Sequence, residues 1–169
     1  MSKQVYYISI GSNLGDRAAN LELALRALAA VPGARVAARS AFAETEPVDV
    51  APEHRALKFL NCAAAVESDL APHAMLAACA AAEKALGRMR PAPRNSPRTV
   101  DIDLVCAFGP DGRPVAVDDP PVLVLPHPRA RLRAFVMDPL REIAPAAADW
   151  LLRGGARAPA PEAGTGAAP

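Results

Sequence analysis

Along residues 5–108 the apolar side chains switch between two repeats, and this switching limits the possible fold more than any other feature. A two-residue repeat marks a strand and a three-to-four-residue repeat marks one face of a helix. Residues 5–10 form a short apolar run that predicts a strand, and the stretch Gly11-Ser12-Asn13-Leu14-Gly15-Asp16 then turns the chain. Leu21, Leu25 and Leu28 recur at helical spacing, which predicts a helix over 17–30 that Pro32-Gly33 stops. A second strand is expected over 35–44, followed by a loop with Pro47 and Pro52. Leu60, Cys62, Ala64 and Val66 alternate with Asn61, Ala63, Ala65 and Glu67, the pattern of a third strand. Met75, Cys79, Ala82 and Leu86 make the stripe of a helix over 72–86, ended by Gly87. A fourth strand follows over 100–108.

This order, strand-helix-strand-strand-helix-strand, predicts an α+β domain of the ferredoxin-like α/β sandwich type. Two helices would cover one face of an antiparallel sheet, and the other face needs another cover or a ligand. Pro110-Asp111-Gly112 signals a turn, so an extra hairpin with a short strand near Val115 is expected. Residues 120–133 read as irregular and 139–143 as helix. The domain would run over 1–152, and the Gly/Ala/Pro-rich stretch 153–169 reads as a disordered tail.

Composition narrows the function. The 169 residues carry 19 basic and 18 acidic side chains, a net charge of +1. That balance does not favour nucleic acid or a membrane surface as partner. Aromatics are 4%, too few for a base-stacking platform. No apolar run approaches the roughly 20 residues that span a bilayer, and the start of the chain lacks signal-peptide layout, so a cytoplasmic location is expected. Cys62, Cys79 and Cys106 are too widely spaced for a zinc site or a disulfide framework and read as buried thiols.

The strongest chemical signal is Arg98-Thr99-Val100-Asp101-Ile102-Asp103-Leu104. On a strand, Val100, Ile102, Leu104 and Cys106 would face the helices. Asp101 and Asp103 would share the open face with Cα atoms about 6.5–7 Å apart. Two such carboxylates repel unless a cation lies between them. Mg²⁺ takes one or two carboxylates and keeps its remaining positions for water and phosphate oxygens. Arg88, Arg90, Arg94 and Arg98 precede the pair, and guanidinium forks suit phosphate. A solvated strand face and a solvated basic loop are the plain alternatives for each signal alone. Gly11 to Gly15 reads as a tight turn, with a phosphate cradle as the alternative; no Walker lysine follows it. His54 and His73 read as incidental. His127 lies between Pro126 and Pro128, a rigid setting that suits either a ligand contact or a simple loop hydrogen bond.

Together these segments resemble the 6-hydroxymethyl-7,8-dihydropterin pyrophosphokinases of folate biosynthesis. The matching pieces, in order, are 10–15, Phe59-Leu60-Asn61, Gly87-Arg88, 97–104, Leu125-Pro126-His127-Pro128, Arg133-Ala134-Phe135, and Pro139-Leu140 with Glu142-Ile143-Ala144-Pro145. The resemblance implies a kinase that moves pyrophosphate from ATP to a pterin hydroxymethyl group, leaving AMP. It implies two Mg²⁺ ions on Asp101 and Asp103. It assigns Arg88 and Arg98 to the transferred phosphates with His127 assisting, and Glu83, Arg90 and Arg133 to further ATP contacts. Phe59 and Phe135 would sandwich the pterin, Asn61 would bond its polar edge, and the segment holding Thr45, Glu46 and Val48 would add contacts. Asn95 and Pro128 replace a Trp and a Tyr found in some members, and Pro91 and Pro93 stiffen the arginine loop. The expected partners are small molecules, with the chain a monomer. An RNA-binding module and a ligand-sensing domain without turnover are the rival classes; weak basicity argues against the first and the acid pair beside the arginines against the second.

Overall fold

The computed structural model describes residues 3–48, 50–88 and 96–155. Strand β1 (Gln4–Ser12) is central. It pairs antiparallel with β4 (Phe59–Ser68) on one side and with β5 (Asp101–Phe108) on the other. Beyond β4 lies β2 (Ala34–Arg39), so the sheet order is β2-β4-β1-β5. With α1 (Arg17–Ala29) and α2 (Pro72–Ala85) this is the ferredoxin-like arrangement expected from the sequence. The Asp16 carboxylate starts α1 by accepting from the Ala19 N–H at 3.0 Å. Pro72 opens α2 at a position where its missing N–H costs nothing. Tyr6, Ile8 and Ile10 of β1, Cys62, Ala64 and Val66 of β4, and Ile102 and Leu104 of β5 pack with Leu21, Leu25, Leu28, Met75 and Cys79 of the two helices.

The expected second strand over 35–44 is two strands. β3 (Ala43–Thr45) pairs separately with the start of β4. Arg39 lies opposite Ala64 and Ala43 opposite Asn61, so residues 40–42 oppose only two residues of β4. This is a β-bulge. Ser40 holds it: its N–H donates to the Ala63 carbonyl, and its Oγ accepts from the Ala63 N–H, both at 2.9 Å.

A second bulge corrects the expectation for Cys106. Tyr7 pairs with Cys106 but Ile8 with Leu104, leaving Val105 as the extra residue. The strict alternation breaks there, and Cys106 turns away from α1 and α2 to the opposite face. All three cysteines are buried free thiols, and burial pushes each thiol up to about 12.

That opposite face is covered by α3 (Ala134–Ile143) and α4 (Pro145–Leu152). Val136, Met137 and Leu140 of α3 and Ala148, Trp150 and Leu151 of α4 bury Ala63, Val105, Cys106 and Phe108. Phe108 sits edge-on between Tyr7 (5.9 Å) and Trp150 (5.2 Å). The helix expected over 139–143 begins five residues earlier, because Pro139 lies inside it rather than opening it. The turn at residues 110–112 returns the chain to β5 through one bridge, Phe108 to Pro114. The regular hairpin comes later, as β6 (Val117–Asp119) paired with β7 (Leu123–Leu125) inside the stretch read as irregular. Of the stretch 153–169 expected to be disordered, residues 156–169 lie outside the described residues.

Leu140 is 1% exposed and anchors α3 to the sheet. Leu140→Ala should destabilise the protein by about 2–5 kcal/mol through lost burial and the cavity left behind. Denaturant unfolding measures it, and a change under about 1 kcal/mol would show that α3 does not cover this face as tightly as its packing indicates.

Candidate functional site

A cavity of about 300 Å³ opens on the face that α3 and α4 leave uncovered, beside the ends of β1, β4 and β5. Strand alternation decides what lines it. Ile10, Leu60, Cys62 and Ile102 point to the helices α1 and α2, so Ser9, Gly11, Phe59, Asn61, Asp101 and Asp103 point the other way. Ser9 is opposite Asp103 and Gly11 opposite Asp101 in the β1–β5 register. Thr45, Glu46, Val48 and Val50 form a second wall, and Arg129, Leu132, Arg133 and Phe135 a third.

Asp101 is the electrostatic centre. One carboxylate oxygen accepts from Arg88, and the other accepts from Arg98 Nη1 at 2.8 Å. Arg88 Nη1 also donates to Glu83 Oε1. That same oxygen accepts from the Ile102 N–H at 2.8 Å. Glu83 is 3% exposed and does not line the cavity, so it acts on the site through Arg88 and the β5 backbone. Arg98 is fixed further: its N–H donates to Asn13 Oδ1 at 2.8 Å and its Nε to the Ser96 carbonyl at 3.1 Å. The stretch 11–15 therefore works as a turn whose Asn13 holds the arginine, and Gly11 belongs to the strand itself.

Asp103 lies deeper. Burial and the neighbouring Asp101 carboxylate push its carboxyl up to about 6, against the pull of Arg133. The two guanidiniums both bond Asp101, so Asp103 is the less neutralised of the two carboxylates, and a divalent cation between them would compensate it. Among the described residues no group of three or more His, Cys, Asp or Glu is placed to enclose a metal. The donor set fits Mg²⁺, which needs few carboxylates when phosphate and water complete its shell.

The aromatic side chains each carry a guanidinium. Arg98 stands 5.9 Å from the Phe59 centroid and Arg133 5.6 Å from that of Phe135. Asn61 is buried, and its Nδ2 donates to Thr45 Oγ1 at 2.6 Å. A Cβ on Gly11 would meet Asn61 Oδ1 at 2.6 Å, so only glycine lets this amide lie against β1.

His127 follows the cis Leu125-Pro126 bond and does not line the cavity itself. Its N–H donates to the carbonyl of the bulge residue Val105 at 2.7 Å, which ties the loop to β5. Its Nδ1 accepts from the Arg129 N–H at 3.1 Å. A neutral ring so engaged carries its proton on Nε2. Arg90 lies outside the described residues. Ser9, Gly11, Val50, Arg129 and Leu132 line the cavity without having been anticipated. For the first two the signal was available, because small residues alternate with Ile8 and Ile10 opposite the aspartates.

Fold and site define a ferredoxin-like domain with a carboxylate–arginine centre beside a cavity walled by two phenylalanines. The model of the family described as 7,8-dihydro-6-hydroxymethylpterin-pyrophosphokinase (HPPK) matches residues 7–145, and the chain belongs to that family. It is 46% identical over 139 residues to the 2-amino-4-hydroxy-6-hydroxymethyldihydropteridine pyrophosphokinase of Methylorubrum extorquens, covering 82% of each chain. The protein of the same name from Pseudomonas aeruginosa is 36% identical over 142 residues, covering 84% of this chain and 82% of that one. Among solved structures, a crystal structure of HPPK-DHPS in complex with substrates shares the fold, with a TM-score of 0.58 at 13% identity. The match covers 85% of this chain and 40% of that longer one.

Burial, Arg133 and Arg129 lower the His127 pKa from its usual 6.5. The sign follows. The unfolded chain binds this proton more readily, so the contribution of His127 to stability is complete above pH 6.5 and is lost as pH falls toward the folded pKa. ¹⁵N NMR titration should show an Nε2–H ring that titrates below 6.5; an Nδ1–H ring, or a pKa above 6.5, would contradict the hydrogen bond to Arg129.

Proposed function

We propose that the chain transfers pyrophosphate from ATP to the hydroxymethyl group of 6-hydroxymethyl-7,8-dihydropterin in folate biosynthesis, giving the pterin diphosphate and AMP, with this cavity as the seat of transfer. Family membership supports the reaction. The observation that carries the residue roles is the Asp101–Asp103 pair in the wall of a cavity with two phenylalanines, where Arg98 lines the cavity and Arg88 bonds Asp101 from behind it.

Phe59 and Phe135 clamp the flat pterin ring. Asn61, oriented by Thr45, bonds its polar edge, and Glu46 and Val48 close the rim. The hydroxymethyl group then points toward the aspartates. Its oxygen attacks the β-phosphorus, the bond from that phosphorus to the α,β-bridging oxygen breaks so that AMP leaves with that oxygen, and the hydroxyl proton passes to solvent. Arg88 and Arg98 leave Asp101 for phosphate oxygens and hold the charge that grows during transfer. Glu83 keeps Arg88 at the site. His127, as an Nε2–H donor, and Arg133 steady the triphosphate, with Arg90 a further candidate. Asp101 and Asp103 would hold two Mg²⁺ ions, which when bound lower the hydroxyl pKa and neutralise phosphate charge. No side chain in the cavity stands as a dedicated base, and positioning with electrostatics meets the need of this chemistry.

A single chain supplies every wall of the cavity, so a monomer suffices. Its partners are small molecules. No helix among the described residues is long and apolar enough to cross a membrane. ATP as co-substrate favours work in the cytoplasm.

Incubation with Mg-ATP and the pterin should release AMP, and Asp101→Ala or Asp103→Ala should cut turnover by roughly 10³-fold or more, a few kcal/mol of transition-state stabilisation. Both variants should stay folded at the assay temperature, since neither side chain packs in the apolar core, although Asp101→Ala should melt lower because Arg88 and Arg98 lose their shared carboxylate. ADP as the sole nucleotide product, or near-normal turnover in either variant, would overturn the proposal.

The clamp has its own test. Phe59→Ala and Phe135→Ala should each weaken pterin binding by about tenfold, about 1.4 kcal/mol. Calorimetry beside thermal melts separates a clamp from a core residue: a variant that melts far lower yet binds pterin normally would remove that residue from the clamp.

A further inference from the structure

The β2–β3 bulge leaves the Ala41 N–H without a ladder partner. Residues 40–42 face only two residues of β4, and Ser40 serves Ala63 in both directions. The Ala41 N–H is satisfied from elsewhere. It donates to Glu142 Oε1 at 2.9 Å, from a residue 101 positions later in the chain.

Glu142 sits on α3, the helix that carries Phe135. Seven residues separate them, close to two whole turns, so both side chains lie along one flank of the helix. Val136, Met137 and Leu140 point from a neighbouring face into the core against the sheet. The flank bearing Phe135 and Glu142 is therefore turned toward β3. Phe135 reaches the cavity at one end, and Glu142 reaches the bulge at the other. From the bulge, β3 runs only three residues to Thr45, which receives the Asn61 hydrogen bond and begins the rim of the cavity.

We infer that Glu142 is a positioning residue for the pterin site: its bond to the Ala41 N–H fixes α3 against the β2–β3 bulge and so sets the gap between Phe135 and the Thr45 wall. The main core contact of α3 is apolar and does not fix its sliding or rotation. The hydrogen bond is directional and does. A flat ring held between two walls is sensitive to that gap, because dispersion contacts fall off steeply over a fraction of an ångström. The inference rests on the clamp reading above.

The test is pterin calorimetry on Glu142→Ala, Glu142→Gln, Phe135→Ala and the double variant Phe135→Ala/Glu142→Ala. Glu142→Ala should weaken pterin binding by about three- to tenfold, the range that one lost hydrogen bond gives. ATP binding should stay unchanged, since Glu142 touches none of the charged groups around Asp101. Glu142→Gln keeps the Oε1 acceptor and should restore affinity to within about twofold. If Glu142 acts through Phe135, the double variant should bind little worse than Phe135→Ala alone. Normal pterin affinity in Glu142→Ala beside a loss in Phe135→Ala would overturn the inference and leave the clamp standing. Losses that add in full in the double variant, or a glutamine variant as weak as alanine, would overturn it too. Normal affinity in Phe135→Ala would overturn the clamp, and the inference with it.

Discussion

The site depends on how Asp101 is neutralised. Its carboxylate is shared by Arg88 and Arg98, and Arg88 is held in turn by the buried Glu83. Negative and positive groups thus alternate across α2, the segment after it and the start of β5. In a partly buried setting each guanidinium would be costly without its carboxylate, and each carboxylate without its guanidinium. Glu83 adds a second service by accepting from the Ile102 N–H, which ties the strand carrying both aspartates to α2. Removing any member would leave a partner charge exposed to a low-dielectric neighbourhood. The network therefore holds the site in shape before any ligand arrives.

Under the proposed function the same network would also govern how nucleotide is admitted. Arg88 and Arg98 are bound to a carboxylate that a cation would also claim. A metal–phosphate complex brings both signs at once: cation for the aspartates and anion for the arginines. Neither half alone makes a good exchange, since a bare cation would meet two guanidiniums and a bare phosphate two carboxylates. Asp103 would gain most from such a cation, because burial beside Asp101 lifts its carboxyl to about 6. On the proposed function, charges placed this way would favour the paired ligand over its separate parts.

Much of this was legible in the sequence because it rests on strand alternation. Asp101 with Asp103, and Phe59 with Asn61, fall on one face by the period of two. What was not legible came from places where periodicity fails or where distant segments meet. The bulge at Val105 moved Cys106 to the other face, and the bulge at 40–42 split one expected strand in two. Pro139 reads as a helix start, yet α3 begins at Ala134 and runs through it, giving up the ladder bond to the Phe135 carbonyl. The short, alanine-rich α4 has little pattern of its own and is fixed by Trp150 against Phe108. Arg129 and Leu132 reach the cavity only through the fold of the loop after the cis Leu125-Pro126 bond, which no local spacing announces.

One face of the sheet serves two purposes, and side-chain size on β1 and polarity on β5 divide it. On β1 the residues facing α3 and the cavity run Tyr7, Ser9, Gly11, from large to none. On β5 they run from Phe108 and Cys106 to Asp103 and Asp101, from apolar to charged. On β4 they run from Ala63 to Asn61 and Phe59. The apolar ends lie together under α3 and α4, where they are buried. The small and polar ends of β1 and β5 lie together under the cavity with Asn61, where bulk would fill the space, and Phe59 of β4 stands beside them as a wall. Gly11 marks the limit of this gradient: its missing side chain makes room for the Asn61 amide. A chain with few aromatic residues can therefore spend most of them at the boundary, with Tyr7, Phe108 and Trp150 on the buried side and Phe59 and Phe135 on the open one. The cavity exists because the sheet is packed on only half of that face, and the strands encode where the packing stops.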